Sequence, residues 1–268
     1  MPLQILLAAG ASGDSEAQRM ATVTLDKMAA GGLYDQVGGG FHRYTVDGAW
    51  QVPHFEKMLY DNAQLARIYG EAFQLTGDLR YAGIVDETLS FLQRDLGAQG
   101  GGFCSALDAD SPNPEGEREE GWFYTWTPTE LHAVLGDESP AFEDAYGVTD
   151  EGNFEGRNIL HFPAPPTLEA RRRWKKARLA LQLERRKRPP PLRDEKVLTS
   201  WNGLAIGAFA YNGWLMGRDD WLDEARSTAE LLLEGRQDGR LTRMRGEAGP
   251  EGTAFLEDYA FFVHGLLA

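Results

Sequence analysis

Cysteine is almost absent from this chain. The single thiol, Cys104, excludes an internal disulfide framework and suits a reducing cytosol, so a cytoplasmic location is expected. Positive charge is also scarce: 27 Lys and Arg face 41 Asp and Glu, a net charge of −14. That balance argues against nucleic acid as a partner and predicts a solvated, acidic surface. No apolar run approaches the ~20 residues that span a bilayer, so no membrane partner is expected. The N-terminal run MPLQILLAAGA is apolar but short and lacks a basic start, which does not read as a secretory signal. There is no P-loop, no G-x-S-x-G elbow and no dinucleotide fingerprint. No His, Cys and Glu stand at ligand spacing, so neither a metal nor a cofactor is expected. Asp108-Ala109-Asp110 opens like a calcium loop but fails at Pro112 and Asn113, where a ligand and then Gly are wanted.

Glycine and aromatics are plentiful, and they concentrate between Gly31 and Asn62. Helical patterns flank that stretch, as they would a functional loop held by its neighbours; the plain alternative is a Gly-rich turn with core aromatics. Parts of the stretch repeat. Gly13-Asp14 is followed by Thr24-Leu25 and then Gly38-Gly39-Gly40-Phe41. Gly77-Asp78 is followed by Thr88-Leu89 and then Gly100-Gly101-Gly102-Phe103. A looser copy runs from Gly217-Arg218-Asp219 to Asp238-Gly239-Arg240-Leu241. Apolar residues between these marks recur at three and four, as in Leu59, Ala63, Ala66, Tyr69 and Phe73. The unit is a helical hairpin in tandem, and such hairpins must stack to bury their apolar faces.

The fold class expected is all-α: an incomplete (α/α) toroid over residues 1–268, with a small β-containing insertion at about 108–193. Within the insertion, Asp108 to Glu120 reads as an acidic loop and Trp122 to Trp126 as a strand. Thr127-Pro128-Thr129-Glu130 is a capping box, and Ser139-Pro140 opens a further helix. Arg171 to Arg188 reads as a solvated basic helix, and the insertion looks too poor in apolar periodicity for its own core. The Gly-rich segments should face one mouth, ringed by His42, Arg43, Asp108, Asp110, Trp122, Trp126 and Arg243. The hairpins number fewer than a closed toroid needs, so truncation at both ends is expected.

Five motifs carry a family resemblance: GGLYDQVGGGFHRYTVDGAWQVPHFEKMLYDNAQL, GFCSALDADS, EGWFYTWTPTEL, GNFEGRNIL and LRDEKVLTSWNGLAIGAFA. Together they cover much of the chain, which resembles the spermatogenesis-associated protein 20 family. Those proteins have an N-terminal thioredoxin-like domain and an α/α six-hairpin barrel similar to N-acylglucosamine 2-epimerases and six-hairpin glycosidases. The resemblance implies part of that barrel, a sugar-like ligand, and a thioredoxin-like partner domain outside this chain.

The candidate catalytic residues follow. His42 and His54 are an acid and base pair in the epimerase reading, where one group removes a proton beside a carbonyl and another returns it. The structural alternatives are a backbone-bonded imidazole for His42 and a helix cap for His54. Loss of all activity with helical content intact is the expectation for His42→Ala. Asp108 and Asp110 are the carboxylates of the second reading, glycoside hydrolysis. A non-catalytic scaffold is the third. Arg43 and Tyr44 are candidates for substrate binding, as are Lys57, Asp61, Asn202, Glu257 and Asp258. Lys57 and Lys196 recur beside glutamates, which equally suits a structural ion pair. Trp50, Trp122, Trp126 and Trp201 are candidates for stacking on a sugar ring, against ordinary packing. Gly152 to Asn158 is a loop over the mouth or a plain turn, and Cys104 a buried, inert thiol.

Overall fold

Paired helices joined by Gly-Asp turns recur along the computed structural model, which describes residues 2–246 and 249–268. The helices are α1 (Pro2–Ala11), α2 (Ser15–Ala30), α3 (Leu59–Thr76), α4 (Leu79–Phe91), α5 (Pro128–Leu135), α6 (Ser139–Ala145), α7 (Leu168–Arg173), α8 (Lys175–Arg185), α9 (Thr199–Met216), α10 (Asp219–Glu234) and α11 (Leu256–Leu266). The strands are short: β1 (Tyr44–Thr45), β2 (Pro53–His54), β3 (Lys57–Met58), β4 (Ala106–Leu107), β5 (Asp110–Pro112), β6 (Arg118–Glu120), β7 (Arg193–Asp194), β8 (Val197–Leu198), β9 (Thr242–Gly246) and β10 (Gly249–Thr253). The predominantly helical class read from the sequence is therefore the class observed. No described helix is long and apolar enough to cross a membrane.

The repeat marks have clear structural roles. Asp14 and Asp78 cap α2 and α4, their carboxylates accepting first-turn N–H groups. Gly77 and Gly217 end α3 and α9 in the left-handed conformation at φ 70° and 64°, where a Cβ would be strained. Each Gly-Gly-Gly-Phe run turns the chain back so that its Phe pairs antiparallel with an upstream residue, Phe41 with Tyr34 and Phe103 with Gly97.

The chain forms two compact units. The first comprises Met1–Glu56 and Asp108–Leu192, the second Lys57–Leu107 and Arg193–Ala268.

In the first unit α1 packs on α2, and a core gathers Ala30 and Val37 with Trp126, Leu131, Phe142, Tyr146, Leu160, Phe162, Trp174, Ala177 and Leu181. Most of that core comes from the segment read as an insertion without one. Its apolar residues lie in short helices and turns, too brief for a period to show. The basic stretch also departs from the solvated helix expected. It breaks at Trp174 into α7 and α8, which bury Arg171 and Arg185. Trp122 to Tyr124 is a turn, not a strand, and Trp126 forms a single antiparallel bridge with Asn158. The N–H groups of Tyr124 and Thr125 both donate to the Gly121 carbonyl, at 2.9 and 3.0 Å. Arg188 Nη1 then takes the carbonyls of Trp122, Phe123 and Thr125, which a strand would give to a neighbour. Burial pulls the Arg188 pKa down to about 10, which leaves it charged at neutral pH. The acidic loop is a hairpin, β5 paired with β6. The capping box at Thr127 and the helix at Ser139 form as read. Gly152 to Asn158 is a plain turn, with Phe154 and Arg157 exchanging both backbone hydrogen bonds.

In the second unit α9 is the central helix, packed by α3, α10 and α11. Gly203 and Gly265 let α9 and α11 touch: a Cβ on Gly265 would lie 2.3 Å from the Gly203 carbonyl oxygen. Sheets β3-β4-β7 and β8-β9-β10 close the helix ends. Asn62 and Asn202 are each the fourth residue of their helix, and each donates to the carbonyl four residues back, Met58 and Leu198. Asn202 also pins the second glycine loop, accepting from Phe103 N at 2.8 Å and donating to Phe103 O at 3.0 Å. Asn202→Leu is expected to destabilise the protein by roughly 2–3 kcal/mol, because it strands a buried N–H and a buried carbonyl. Urea unfolding followed by circular dichroism measures this, and a loss under about 0.5 kcal/mol, the size of a neutral surface change, would contradict it. Cys104 is buried, with its Sγ donating to Glu195 at 3.1 Å. Burial and the nearby carboxylate push its thiol up to about 12, as an inert thiol requires.

Candidate functional site

The first unit places its polar candidates on the β1–β2 hairpin. Tyr44 stands opposite His54 and Thr45 opposite Pro53. The turn between them is built by one carboxylate. Asp47 accepts the N–H groups of Ala49 and Val52, each at 2.5 Å, and of Gln51 at 3.2 Å. Burial alone would raise the Asp47 carboxyl, but those donors outweigh it and hold it below the usual carboxylate range. The turn lies against Gly31 and Gly32, where the chain leaves α2. A Cβ at Gly32 would stand 2.0 Å from Gln51 O and 2.5 Å from Ile159 Cγ2. Gly32→Ala is therefore expected to cost about 1–3 kcal/mol by overpacking, read as a lower urea midpoint. A midpoint equal to the parent's would contradict that contact.

His54 sits at the end of this hairpin, not at a helix start, so the capping role does not arise. Its Nδ1 is 2.7 Å from Glu120 Oε1 and its Nε2 is 3.2 Å from Glu56 Oε2. Carboxylates only accept, so a ring with hydrogen on both nitrogens satisfies both contacts. Arg43 Nη1 donates to the same Glu56 oxygen at 2.7 Å. The Tyr44 ring stacks on the imidazole at 5.1 Å. His54 remains 27% exposed, so the cluster is open to solvent.

His42 differs. It is 3% exposed, its Nδ1 is bonded to the Phe55 carbonyl at 3.0 Å, and its ring packs edge-on against Phe55 and Tyr124. The backbone-bonded alternative describes it. Asp108 pairs with Arg118 at 2.7 Å, and Asp110 stands opposite Glu120 across the β5–β6 hairpin. Trp122 lies under the Arg157 guanidinium at 4.0 Å, and Trp126 is fully buried in the core.

Trp50 lies in the Asp47–Val52 turn of the first unit, and the other candidates belong to the second, so the expected ring of residues divides between the units. Lys57 is fully buried, with its Nζ 4.5 Å from the Phe91 ring centroid. Lys196 pairs with Asp194 rather than the adjacent glutamate. Asp61 lies in the first turn of α3, and Trp201 meets Tyr60 edge-on at 4.8 Å. Asn202 is spent on the glycine loop. Asp258 is buried and caps α11, accepting from Phe255 N at 2.8 Å and Ser200 N at 3.0 Å. Arg243 bonds both Asp258 and Glu257, at 2.9 and 2.5 Å. Among the described residues no three His, Cys, Asp or Glu side chains converge on a possible metal position.

Sequence reasoning missed Glu56 and Glu120. Glu56 was visible only as half of a Glu-Lys pair, and Glu120 only as one acid in an acidic run. Their common histidine lies 66 residues from Glu120, a separation without periodicity to reveal it.

No protein-family model matches the chain. It is 40% identical to human spermatogenesis-associated protein 20, across 94% of this chain and 38% of that protein. To the mouse protein of the same name it is 39% identical, across 94% and 37%. The chain thus spans less than two fifths of the length of these curated relatives. Among solved structures, cellobiose 2-epimerase from Spirochaeta thermophila overlaps 99% of this chain and 68% of its own at 14% identity and a TM-score of 0.35. A family 76 glycoside hydrolase from a bovine Bacteroides thetaiotaomicron strain overlaps 96% and 52% at 13% identity and a TM-score of 0.37. Overlaps of that size fix neither fold nor function.

Proposed function

The chain is a relative of spermatogenesis-associated protein 20, matching a segment of that longer protein, and on that footing we propose that it carries a carbohydrate-directed site of the epimerase or isomerase type. The observation that supports this is His54 held on both ring nitrogens by Glu56 and Glu120, with Arg43 and Tyr44 beside it. Acid–base chemistry needs an oriented proton donor next to an acceptor, and this cluster has both. Glu56 takes the proton from the sugar carbon next to the carbonyl. The electron pair moves onto the carbonyl oxygen, where the His54 imidazolium and the Arg43 guanidinium stabilise it. Return of the proton to the opposite face of that carbon re-forms the carbonyl and gives the epimer; return to the former carbonyl carbon, with the neighbouring hydroxyl proton passing to the enediolate oxygen, gives the isomer. His42 acts as a positioning residue, fixing the backbone of Phe55 between His54 and Glu56.

The helical hairpins belong, in this reading, to an α/α toroid, and the protein works in the cytosol, where a free Cys104 persists. The test is proton exchange. The chain is incubated in deuterium oxide with free aldohexoses, N-acetylhexosamines and β-linked disaccharides, and deuterium at C2 is read by NMR. Incorporation that disappears in His54→Ala is the expected result. No incorporation with any sugar would overturn the reading. Release of reducing sugar from oligosaccharides would favour glycoside hydrolysis instead. Silence in both, with capture of a thioredoxin-like domain, would favour a scaffold.

A further inference from the structure

We infer that the cleft under the Asp47–Val52 turn binds a monosaccharide carrying one anionic group, with Trp50 as its stacking platform and Lys27 as its anion contact. This deepens the carbohydrate reading, on which the sugar-ring part rests, and concerns residues outside the His54 cluster.

The cleft holds about 390 Å³ and is lined by Lys27, Trp50, His161, Phe162, Pro163 and Pro165 among others. That is near the lower end of small-molecule sites, roughly 300–1,000 Å³, and suits one ring better than a polymer. Its walls have three kinds of chemistry. Indole and proline faces are flat and apolar, as the C–H face of a pyranose requires. His161 supplies a polar ring edge: its Nδ1 is 3.3 Å from the Ile159 carbonyl, which only accepts, so that nitrogen carries the hydrogen and Nε2 is left for a ligand. Gly147 makes room for this ring, since a Cβ there would lie 2.6 Å from His161 Cε1. Lys27 supplies the charge. It is exposed near the end of α2, and among the described residues no carboxylate lies within salt-bridge distance of it. A cation on a cleft wall with no carboxylate beside it is available to a ligand anion.

Trp50 gives the second, independent observation. It holds φ 64°, a left-handed conformation rare for a large side chain. Such outliers persist where the surroundings over-determine them, and cluster at ligand clamps. Here the surroundings are plain: the Asp47 carboxylate gathers the turn's N–H groups, and Leu33 N donates to the Trp50 carbonyl at 3.3 Å. Gly31 admits that carbonyl, which would otherwise stand 2.1 Å from a Cβ. The indole is thus placed on the cleft before any ligand arrives.

The test is isothermal titration of the chain with glucose 6-phosphate, glucuronate, glucose and inorganic phosphate. The anionic sugars are expected to bind at least about 10-fold tighter than glucose or inorganic phosphate, the size of one charge-assisted hydrogen bond. Tight binding by both anionic sugars means that either anion serves. Tight binding by glucose 6-phosphate alone identifies a phosphate site, and by glucuronate alone a carboxylate site. Lys27→Ala should bring the anionic sugars down to the level of glucose and leave glucose itself unchanged. Trp50→Gly should weaken every sugar while circular dichroism stays unchanged, because glycine adopts that φ without strain. Anionic sugars binding no tighter than glucose, or indifferent to Lys27→Ala, would overturn the inference. His54→Ala should still bind them. Tight anion-dependent binding without deuterium exchange would therefore refute the catalytic reading alone, and exchange without anion preference would refute this one alone.

Discussion

Replacing Arg185 with methionine is expected to destabilise the first unit by about 3–5 kcal/mol, the cost of leaving a buried charge without its partner. Arg185 and Asp35 are each only 4% exposed and meet through two parallel contacts, Nη1 to Oδ1 at 2.9 Å and Nη2 to Oδ2 at 2.8 Å. The carboxylate also accepts the N–H groups of Val37 and Gly38, both at 3.0 Å. It therefore shapes the first glycine loop from inside. Gly38 is glycine because a Cβ would sit 2.1 Å from Arg185 Nη2. The guanidinium lies 5.2 Å from the Phe123 ring and 5.3 Å from Tyr124, so the same group supports the aromatic turn. Losing it leaves the buried Asp35 carboxylate without its cation.

The expected signature separates charge from shape. Arg185→Lys keeps the charge but loses the planar fork, and should still cost roughly 1–3 kcal/mol. Arg185→Met combined with Asp35→Leu removes both charges and should recover most of the loss. Urea unfolding followed by tryptophan fluorescence reads all three. A single Arg185→Met variant within about 0.5 kcal/mol of the parent would show that the pair adds nothing beyond its packing.

That pair also marks the limit of what the sequence reveals. The helical hairpins were legible because their signals are local. Gly77 and Asp78, or Thr127 and Glu130, act within a few residues of themselves through caps and φ. Asp35 and Arg185 are 150 residues apart, and nothing near either announces the other. Arg185 stands in a run of cations whose obvious reading is a solvated face, and only its buried partner overrides that reading. The Trp122–Trp126 run failed for a related reason. Its aromatics favour a strand on propensity, but Gly121 at φ 75° starts a turn and Arg188, 63 to 66 residues on, takes three of its carbonyls. At the site, Arg43, Tyr44 and His54 were legible because one hairpin carries them. Glu120 was not, because a separate hairpin, β5–β6, brings it in.

For the site the decisive comparison is between its two histidines. His54→Ala is expected to reduce C2 exchange by about 10²- to 10⁴-fold, the usual worth of one general acid–base group. Stability should barely move, because the imidazole is partly exposed and its two carboxylates can turn to water. His42→Ala is expected to do the reverse in the first instance. It removes a buried ring packed on Phe55 and Tyr124 and strands the Phe55 carbonyl. A cost of roughly 2–4 kcal/mol follows. Its effect on exchange then arises through the backbone of Phe55, which lies between His54 and Glu56. This replaces the simpler expectation of lost activity in an undisturbed fold. Two measurements on each variant, the urea midpoint and the exchange rate at saturating sugar, distinguish the roles. If His42→Ala keeps its midpoint but loses exchange, the buried imidazole handles the proton and His54 does not. If His54→Ala loses both, the carboxylate clasp is a structural tie, and the site must be sought elsewhere in the chain.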